Sequence, residues 1–201
     1  MKNFFKIISG IFHPMLLPLF GTILLFQVGM FKMYPLEYQL YIEGIVILNM
    51  GILPSLGILL LKKNGHITDL DVSVRSERVF PYLISLITCI GAVFLLIRFK
   101  MPWLVVKLFM GSILATVIAF IITFKWKISA HTIAFGCLIA SSFLICLNQG
   151  VNPMIYFVIL LLFAGLQATS RVYLGSHTIG QVTAGSVVGI ISVCATYLLI
   201  P

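Results

Sequence analysis

Charged residues are scarce in this sequence, and acidic residues are the scarcest. Only 9% of the 201 residues are charged, whereas a soluble domain carries about 25%. The sequence contains 13 Lys and Arg residues but only five Asp and Glu residues. Such a chain cannot cover a water-facing surface with polar side chains. Its composition also excludes a disordered chain, a collagen and a disulfide-rich scaffold.

Long apolar runs make up most of the chain, in place of the charged residues that a soluble protein would carry. Hydrophobic residues make up 61% of the chain, and runs long enough to cross a bilayer as helices recur along it. This pattern predicts an all-α fold, a polytopic transmembrane helical bundle that forms one integral-membrane domain over residues 1–201. A transmembrane β-barrel would instead show short segments of alternating hydrophobicity.

The cysteines and histidines show none of the spacings that are typical of a metal or redox site. All four cysteines lie inside apolar runs and none forms a CxxC pair, which predicts small buried hydrophobic side chains. The four histidines form no HxxxH pair and no Cys/His ligand set. The sequence therefore predicts no metal site.

Seven apolar segments are predicted to span the membrane, with six as the alternative. The first segment is the least regular, because Pro14 and Pro18 interrupt its start, and it is interpreted as a kinked span or a re-entrant segment. The segments cover residues 12–31, 40–61, 79–97, 103–124, 129–147, 154–169 and 178–200.

Basic residues cluster at the ends of these segments, where they mark the membrane boundary. The net charge of +8 therefore predicts contact with membrane lipids, or with an anionic group on a lipid, and no nucleic-acid partner.

Seven spans place the N-terminus and loops 62–78, 125–130 and 170–177 on one side, here called face A. Nine Lys and Arg residues on face A against four opposite favour a cytoplasmic face A. Four of the nine, Arg75, Arg78, Lys127 and Arg171, lie in the polar blocks described next, and without them the count is five against four, so the orientation stays open.

Three polar blocks stand out, and all three lie on face A. The first covers residues 75–81, the second residues 127–131, and the third has the pattern Ser-Arg-x5-His-x3-Gln over residues 170–181. Each block lies at the start of an apolar helix, where free N–H groups and a partial positive charge are found. Three helix starts and three arginines predict an anion site, for which phosphate is the obvious ligand.

Two histidines in these blocks, His131 and His177, add groups that titrate near neutral pH. A phosphate clamp with two histidines indicates phosphoryl transfer, in which one histidine attacks phosphorus and the other protonates the leaving oxygen. A structural interpretation of the same residues is also open. In that interpretation the basic side chains contact lipid headgroups and His177 caps a helix.

The third block resembles the third signature block of the type-2 phosphatidic acid phosphatase superfamily, which reads Ser-Arg-x5-His-x3-Asp. The second block contains Ile-Ser-Ala-His at residues 128–131 and is similar to that family's Pro-Ser-Gly-His. Residues 75–81 resemble a loose form of its first block, Lys-x6-Arg-Pro. The resemblance covers residues 75–189 and implies a membrane lipid phosphatase.

The resemblance also implies a role for each matching residue. His177 would be the nucleophile that takes the phosphoryl group, and His131 would be the general acid for the leaving group. Arg171 and Arg78 would clamp the phosphate oxygens. The family's reaction uses no cofactor, so none is expected here. The predicted phosphate-binding set is completed by Arg75, Ser129, Ala130 and Ser170.

Gln181 departs from the family pattern, because it stands where the family has the aspartate that orients the nucleophilic histidine. Gln181 follows His177 by four residues at a helix start, so the two side chains can touch. The glutamine carbonyl can accept the Nδ1–H of His177 and hold its tautomer, and Gln181 is therefore counted as a catalytic residue. It cannot offer negative charge, for which the acidic residues of the 62–78 loop are alternative sources. Two other features also depart from the family pattern. Ala130 replaces the glycine of the second block, and two spans separate the first and second blocks.

Two functions are therefore expected as alternatives. The first is an integral-membrane phosphatase acting on phosphatidic acid, phosphatidylglycerol phosphate, a polyprenyl diphosphate or a lipid A phosphate. The second is a catalytically impaired protein that binds anionic phospholipid with the same residues. A small transporter is disfavoured, because the charge is concentrated at one interface and not at mid-span. The expected location is the inner (cell) membrane of a bacterium, and the oligomeric state is left open.

Overall fold

The structure, a computed structural model, describes residues 1–29 and 34–201. Within these residues the fold is all-α, as predicted. The segments α3, a π-helical turn and α4 form one continuous helix. The elements are α1 (Lys2–Ile11), α2 (Leu17–Gln27), α3 (Leu36–Val46), the π-helical turn (Ile47–Ile52), α4 (Leu53–Lys63), a 3₁₀ turn (Ser76–Arg78), α5 (Val79–Arg98), α6 (Trp103–Thr123), α7 (Ala130–Asn148), α8 (Met154–Tyr173) and α9 (Ile179–Leu199).

Six of these helices are long and apolar enough to cross a membrane: the continuous helix Leu36–Lys63 and each of α5 to α9. The prediction of a polytopic helical membrane bundle is thereby confirmed. The helices α5, α7 and α9 begin within one residue of the predicted starts. The first two polar blocks therefore lie at helix starts, as the sequence indicated, whereas the third begins in the last turn of α8 and ends in the first turn of α9.

The first predicted span, residues 12–31, is not one regular helix. The chain breaks between α1 and α2, and α2 has only 11 residues, too few to cross a hydrocarbon core of about 30 Å as a helix. The break has a covalent cause, because Pro14 has no N–H and Pro18 is tolerated in the first turn of α2 but not in a helix interior. The predicted end of this segment, Phe31, lies outside the described residues.

The sidedness that seven passes imply is nevertheless kept. The ring of His13, before α2, lies 5.4 Å from the ring of His131 at the start of α7. The hydroxyl of Tyr38 in α3 donates a hydrogen bond of 2.9 Å to the carbonyl oxygen of Phe99, in the turn between α5 and α6. The chain thus passes from face A to the opposite end of the bundle before it enters α3.

Glycines bring α7 and α9 into close contact. A Cβ atom added at Gly189 would meet the carbonyl oxygen of Ile133, and one added at Gly136 would meet that of Ser186. Small residues at such crossings let two helix backbones approach closely within a membrane. The first turns of α7 and α9, which carry the second and third blocks, are consequently held side by side.

Candidate active site

The three polar blocks meet in one cavity at face A. Four buried side chains from different elements line it. Arg78 ends the 3₁₀ turn before α5, and His131 lies in the first turn of α7. Arg171 lies in the last turn of α8, and His177 lies in the turn between α8 and α9. Residues that are 99 positions apart in sequence therefore share one site, because the ends of neighbouring helices coincide.

His177 is oriented by Gln181. The Nδ1 atom of His177 lies 3.0 Å from the Oε1 atom of Gln181. A carbonyl oxygen can only accept, so neutral His177 donates its Nδ1–H and keeps its lone pair on Nε2. The same oxygen accepts a bond of 3.3 Å from the backbone N–H of Thr178, as half of the capping box that begins α9. The predicted contact is confirmed, and the glutamine is itself held in place by the helix cap.

Burial and nearby positive charge keep His177 neutral. Burial lowers the pKa of His177 from its ordinary value of 6.5 to about 3, and the charge of Arg78 acts in the same direction. The hydrogen bond to Gln181 opposes this shift only in part. Above about pH 3, most His177 side chains are therefore neutral, and their Nε2 lone pair is free to act as a nucleophile.

Arg171 is a buried cation whose charge is incompletely compensated. Its Nη1 donates a hydrogen bond of 2.7 Å to the hydroxyl of Ser9 in α1. The same nitrogen lies 3.7 Å from Oδ2 of Asp71, a side chain that is 58% exposed. The Nε of Arg171 is buried and has no hydrogen-bond partner in the described part of the chain. Because an uncompensated buried charge costs several kcal/mol, this position favours an anion as a further partner.

Arg78 is fixed by two backbone carbonyl groups. Its Nε donates to the carbonyl oxygen of Val72 at 2.9 Å, and its Nη1 donates to that of Ile128 at 2.8 Å. These bonds tie the 62–78 loop to the start of α7. A guanidinium has five N–H groups, so the two bonds do not exhaust its donors. Val72 has a φ of 46°, a strained conformation for a β-branched residue, and such strain clusters at functional sites.

Two further histidine rings meet beside these arginines. The Nε2 of His131 is buried and has no hydrogen-bond partner among residues 1–29 and 34–201. The ring of His13 packs edge-on against His131 and also lines the cavity. Burial lowers the pKa of His13, and the negative charge of the nearby Asp71 partly opposes this shift. The three blocks do not predict His13 as a site residue. The only signal in the sequence is its place on face A, before Pro14.

The structure does not place Arg75 in the cavity. The Arg75 side chain is exposed, and its Nη1 donates a hydrogen bond of 2.7 Å to the carbonyl oxygen of Phe124. That carbonyl group belongs to the C-terminal end of α6, where a cation is stabilising. Arg75, predicted to contact phosphate, thus fixes a helix end in this structure.

Ser129 and Ser170, predicted to contact phosphate, are not among the residues that line the cavity, and their hydroxyl groups make contacts within the fold. The hydroxyl of Ser129 accepts a long bond of 3.5 Å from the backbone N–H of Thr132 as the N-cap of α7. The hydroxyl of Ser170 donates a bond of 2.7 Å to the carbonyl oxygen of Phe5 in α1. Ala130, the remaining member of the predicted set, does line the cavity.

The cavity continues from its polar end into the apolar interior of the bundle. It has a volume of about 240 Å³. Side chains of α2, α4, α5, α6 and α7 form its wall, and most of the wall is apolar. Residues on its deep part include Leu25, Cys89, Leu108, Phe109 and Ile145. An anionic group at face A and a hydrocarbon group below it can thus occupy one continuous space.

Comparison of the chain with protein-family models, with curated proteins and with solved structures gives no match. The resemblance to the phosphatase superfamily therefore rests on the three short sequence blocks alone.

Proposed function

We propose that the protein is an integral-membrane phosphatase that removes phosphate from a lipid phosphate or diphosphate through a phosphohistidine on His177. The observation that carries the proposal is a neutral histidine, oriented by Gln181, in one cavity with the two buried arginines Arg78 and Arg171. Buried positive charge favours an anionic ligand. The apolar continuation of the cavity suits a ligand that also carries a hydrocarbon chain.

In the first step, Nε2 of His177 attacks phosphorus and an N–P bond forms. The bond from phosphorus to the lipid oxygen breaks, and that oxygen takes a proton from His131, which starts the cycle in its protonated form. In the second step, His131 accepts a proton from water while the water oxygen attacks phosphorus. The N–P bond breaks, inorganic phosphate leaves, and both histidines return to their starting states. Arg78 and Arg171 stabilise the charge on the non-bridging oxygens in both steps.

A second candidate function is phospholipid binding without turnover. The observation that favours it is the neutral acceptor at His177, because the Gln181 oxygen gives no negative charge to the imidazolium that forms on attack. In serine proteases the change from Asp to Asn lowers kcat by about 10⁴ and gives the wrong histidine tautomer, whereas here the tautomer is held and only the charge is absent. A site with the same arginines and no turnover would still hold an anionic headgroup.

The test is phosphate release by purified protein in detergent with EDTA. The panel contains phosphatidic acid, phosphatidylglycerol phosphate, a polyprenyl diphosphate and a lipid A phosphate. We expect release from at least one of them, loss of release in His177→Ala, and an acid-labile phosphoryl group on wild-type protein after rapid quenching. The matched control is His66→Ala, which removes an exposed histidine of the 62–78 loop. Release that persists in His177→Ala would overturn the phosphohistidine mechanism. Binding of these lipids with no release would support the second candidate.

A further inference from the structure

We infer that His13 is a third histidine of the site and that its Nε2–H donates a hydrogen bond to an oxygen of the bound phosphate. In this role the imidazole is a neutral donor and transfers no proton in the reaction. The inference rests on the phosphate site of the proposed function, to which it adds a binding residue from outside the three polar blocks. It is carried by the turn that holds His13, by the tautomer that this turn imposes, and by the groups around the ring.

The turn before α2 holds the His13 ring in place. The backbone N–H of Leu16 donates a bond of 2.9 Å to the carbonyl oxygen of His13, which closes a turn over residues 13–16. Pro14 takes the second position of this turn, where its fixed φ is favoured. The backbone N–H of Met15 donates a bond of 3.4 Å to Nδ1 of the His13 ring. The side chain thus caps the turn that leads into α2, as an asparagine side chain often does.

The bond from Met15 also sets the tautomer of His13. A backbone N–H can only donate, so Nδ1 of His13 keeps its lone pair and the proton of the neutral ring lies on Nε2. An imidazolium would lose this bond, because both of its nitrogens are donors. Within the described part of the chain, no residue hydrogen-bonds to Nε2 of His13. The Nε2–H is therefore available to a ligand.

The groups around the His13 ring indicate which ligand this is. The ring lines the same cavity as Arg171 and His131, and its centroid lies 5.4 Å from that of His131. Arg171 contributes a second N–H without an acceptor, because its buried Nε has no partner among residues 1–29 and 34–201. Buried polar groups are normally hydrogen-bonded. Two N–H donors without acceptors at one end of one cavity favour a ligand that only accepts, as the oxygens of a phosphate dianion do.

The charges around His13 favour its neutral form. Burial lowers the pKa of His13 and the charge of Arg171 acts in the same direction, whereas the charge of Asp71 opposes both. The proposed reaction starts with a proton on His131. A second positive ring at a distance of 5.4 Å would be repelled by it. A neutral His13 can donate to phosphate without this repulsion.

Two amide variants separate the donor role from the turn. The side-chain oxygen of His13→Asn lies near the position of Nδ1, so this variant can accept from Met15 but has no N–H that reaches the position of Nε2. His13→Gln can place an amide N–H at the position of Nε2, but it has no acceptor near that of Nδ1. A role confined to the turn predicts tighter phosphate binding by the Asn variant. The donor role predicts tighter binding by the Gln variant.

Binding of inorganic phosphate is measured on His177→Ala protein in detergent, from the rise of Tm with phosphate concentration at constant ionic strength. We expect the Kd for phosphate to be about tenfold or more higher with His13→Asn than with His13→Gln, although the Asn variant has the higher Tm without phosphate. His66→Gln, at an exposed position of the 62–78 loop, should leave the Kd unchanged. Equal values for the two His13 variants, or tighter binding by the Asn variant, would overturn the inference.

A measurement on wild-type protein decides the question even if a His13 variant does not fold. NMR of protein with ¹⁵N-labelled histidine rings and backbone identifies His13 by the proximity of its ring to the Met15 amide. At about pH 7, above the ordinary histidine pKa of 6.5, we expect the neutral tautomer with the proton on Nε2. We also expect this N–H resonance to shift on addition of phosphate. The opposite tautomer, or a resonance that phosphate does not move, would overturn the inference.

The outcomes separate this inference from the proposed function. Weaker phosphate binding with His13→Asn than with His13→Gln supports the donor, even if wild-type protein releases no phosphate from any lipid. Phosphate release by wild-type protein, with equal Kd values for the two variants, supports the phosphatase and overturns the role of His13. Loss of release in His13→Gln protein that still binds phosphate would show that His13 transfers a proton, which overturns the neutral donor. Failure of His177→Ala protein to bind phosphate would overturn the inference together with the anion site.

Discussion

The Nδ1 atom of His177 lies 3.0 Å from the Oε1 atom of Gln181, and the same oxygen closes the capping box of α9. One side chain therefore sets both the tautomer of the candidate nucleophile and the start of the helix that follows it. Gln181 is positioned by the backbone before any ligand binds. What it lacks is charge, so its effect on His177 is one of orientation.

Replacing Gln181 by Glu tests this distinction, because the variant keeps the length of the side chain and its acceptor oxygen. The added negative charge favours the imidazolium, so we expect the pKa of His177 to rise from about 3 and phosphate release to increase about tenfold or more. The pKa is measured by NMR on protein with labelled histidine rings, and the rate under steady-state conditions. The control is Gln181→Leu, which removes the acceptor and is expected to be slower than wild type. A Glu variant with a raised pKa and no gain in rate would show that charge at this position does not limit turnover.

The pH dependence of stability has a defined sign. Burial lowers the pKa of His177 to about 3, below its ordinary value of 6.5, so between these values the unfolded chain binds a proton that the folded protein does not. The stability contributed by neutral His177 is therefore present above pH 6.5 and is lost as the pH falls toward 3.

We accordingly expect the Tm in detergent to fall between about pH 6.5 and pH 4, and to fall less steeply in His177→Gln, which has no titrating group. His66→Gln is the control, since this exposed loop residue should leave the slope as in wild type. Identical slopes for wild type and His177→Gln would contradict the assignment.

The contacts of Arg171 and Arg75 predict opposite behaviour for two arginines of the same face. Arg171 is buried in the cavity, whereas Arg75 is exposed and binds the end of α6. We expect Arg171→Lys to lower kcat/KM about 100-fold, because lysine keeps the charge but loses the planar fork. Arg75→Lys should stay within about twofold of wild type, because it touches no cavity residue. Phosphate release from the best lipid of the panel gives the comparison. A comparable loss of kcat/KM in both variants would show that Arg75 also acts in the site.

The crossing of α7 and α9 is expected to tolerate no added methyl group. In Gly189→Ala the new Cβ would meet the carbonyl oxygen of Ile133, so the two helices must separate, at a cost of about 1–3 kcal/mol in stability. Gly165→Ala is the control, because a Cβ at this position in α8 meets nothing within 4 Å, and alanine stabilises a helix relative to glycine. Thermal unfolding in detergent measures both. A Tm for Gly189→Ala at or above wild type would contradict the close approach.

The long helices could be predicted from local pattern alone. The starts of α5, α7 and α9 coincide with the predicted starts to within one residue, because apolar run length and polar flanks are properties of neighbouring residues. The structure of the first segment was harder to predict. Pro14 and Pro18 indicate an interruption, but whether it bends a span or divides it depends on packing against α3 and α7.

The histidines and the arginine of the second and third blocks could be predicted as site residues from the sequence, whereas the positions of Arg75 and His13 could not. His131, Arg171 and His177 carry a recognisable spacing, and all three line the cavity. Arg75 looks identical to Arg78 in the sequence, yet only the side chain of Arg78 points inward. His13 belongs to no block, and it reaches the site only because the break before α2 lies beside α7.

Composition and run length by themselves determined that this chain is a helical membrane protein with its basic residues at the boundary, since a long apolar run in a bilayer satisfies its backbone N–H and C=O groups by forming a helix. Only the tertiary structure decided which of those basic residues are buried around His177, and that the space beside them continues into the apolar interior of the bundle. The reason is physical. Burial, and hence charge compensation and pKa, depends on the helices that surround a side chain, and those helices come from distant parts of the sequence.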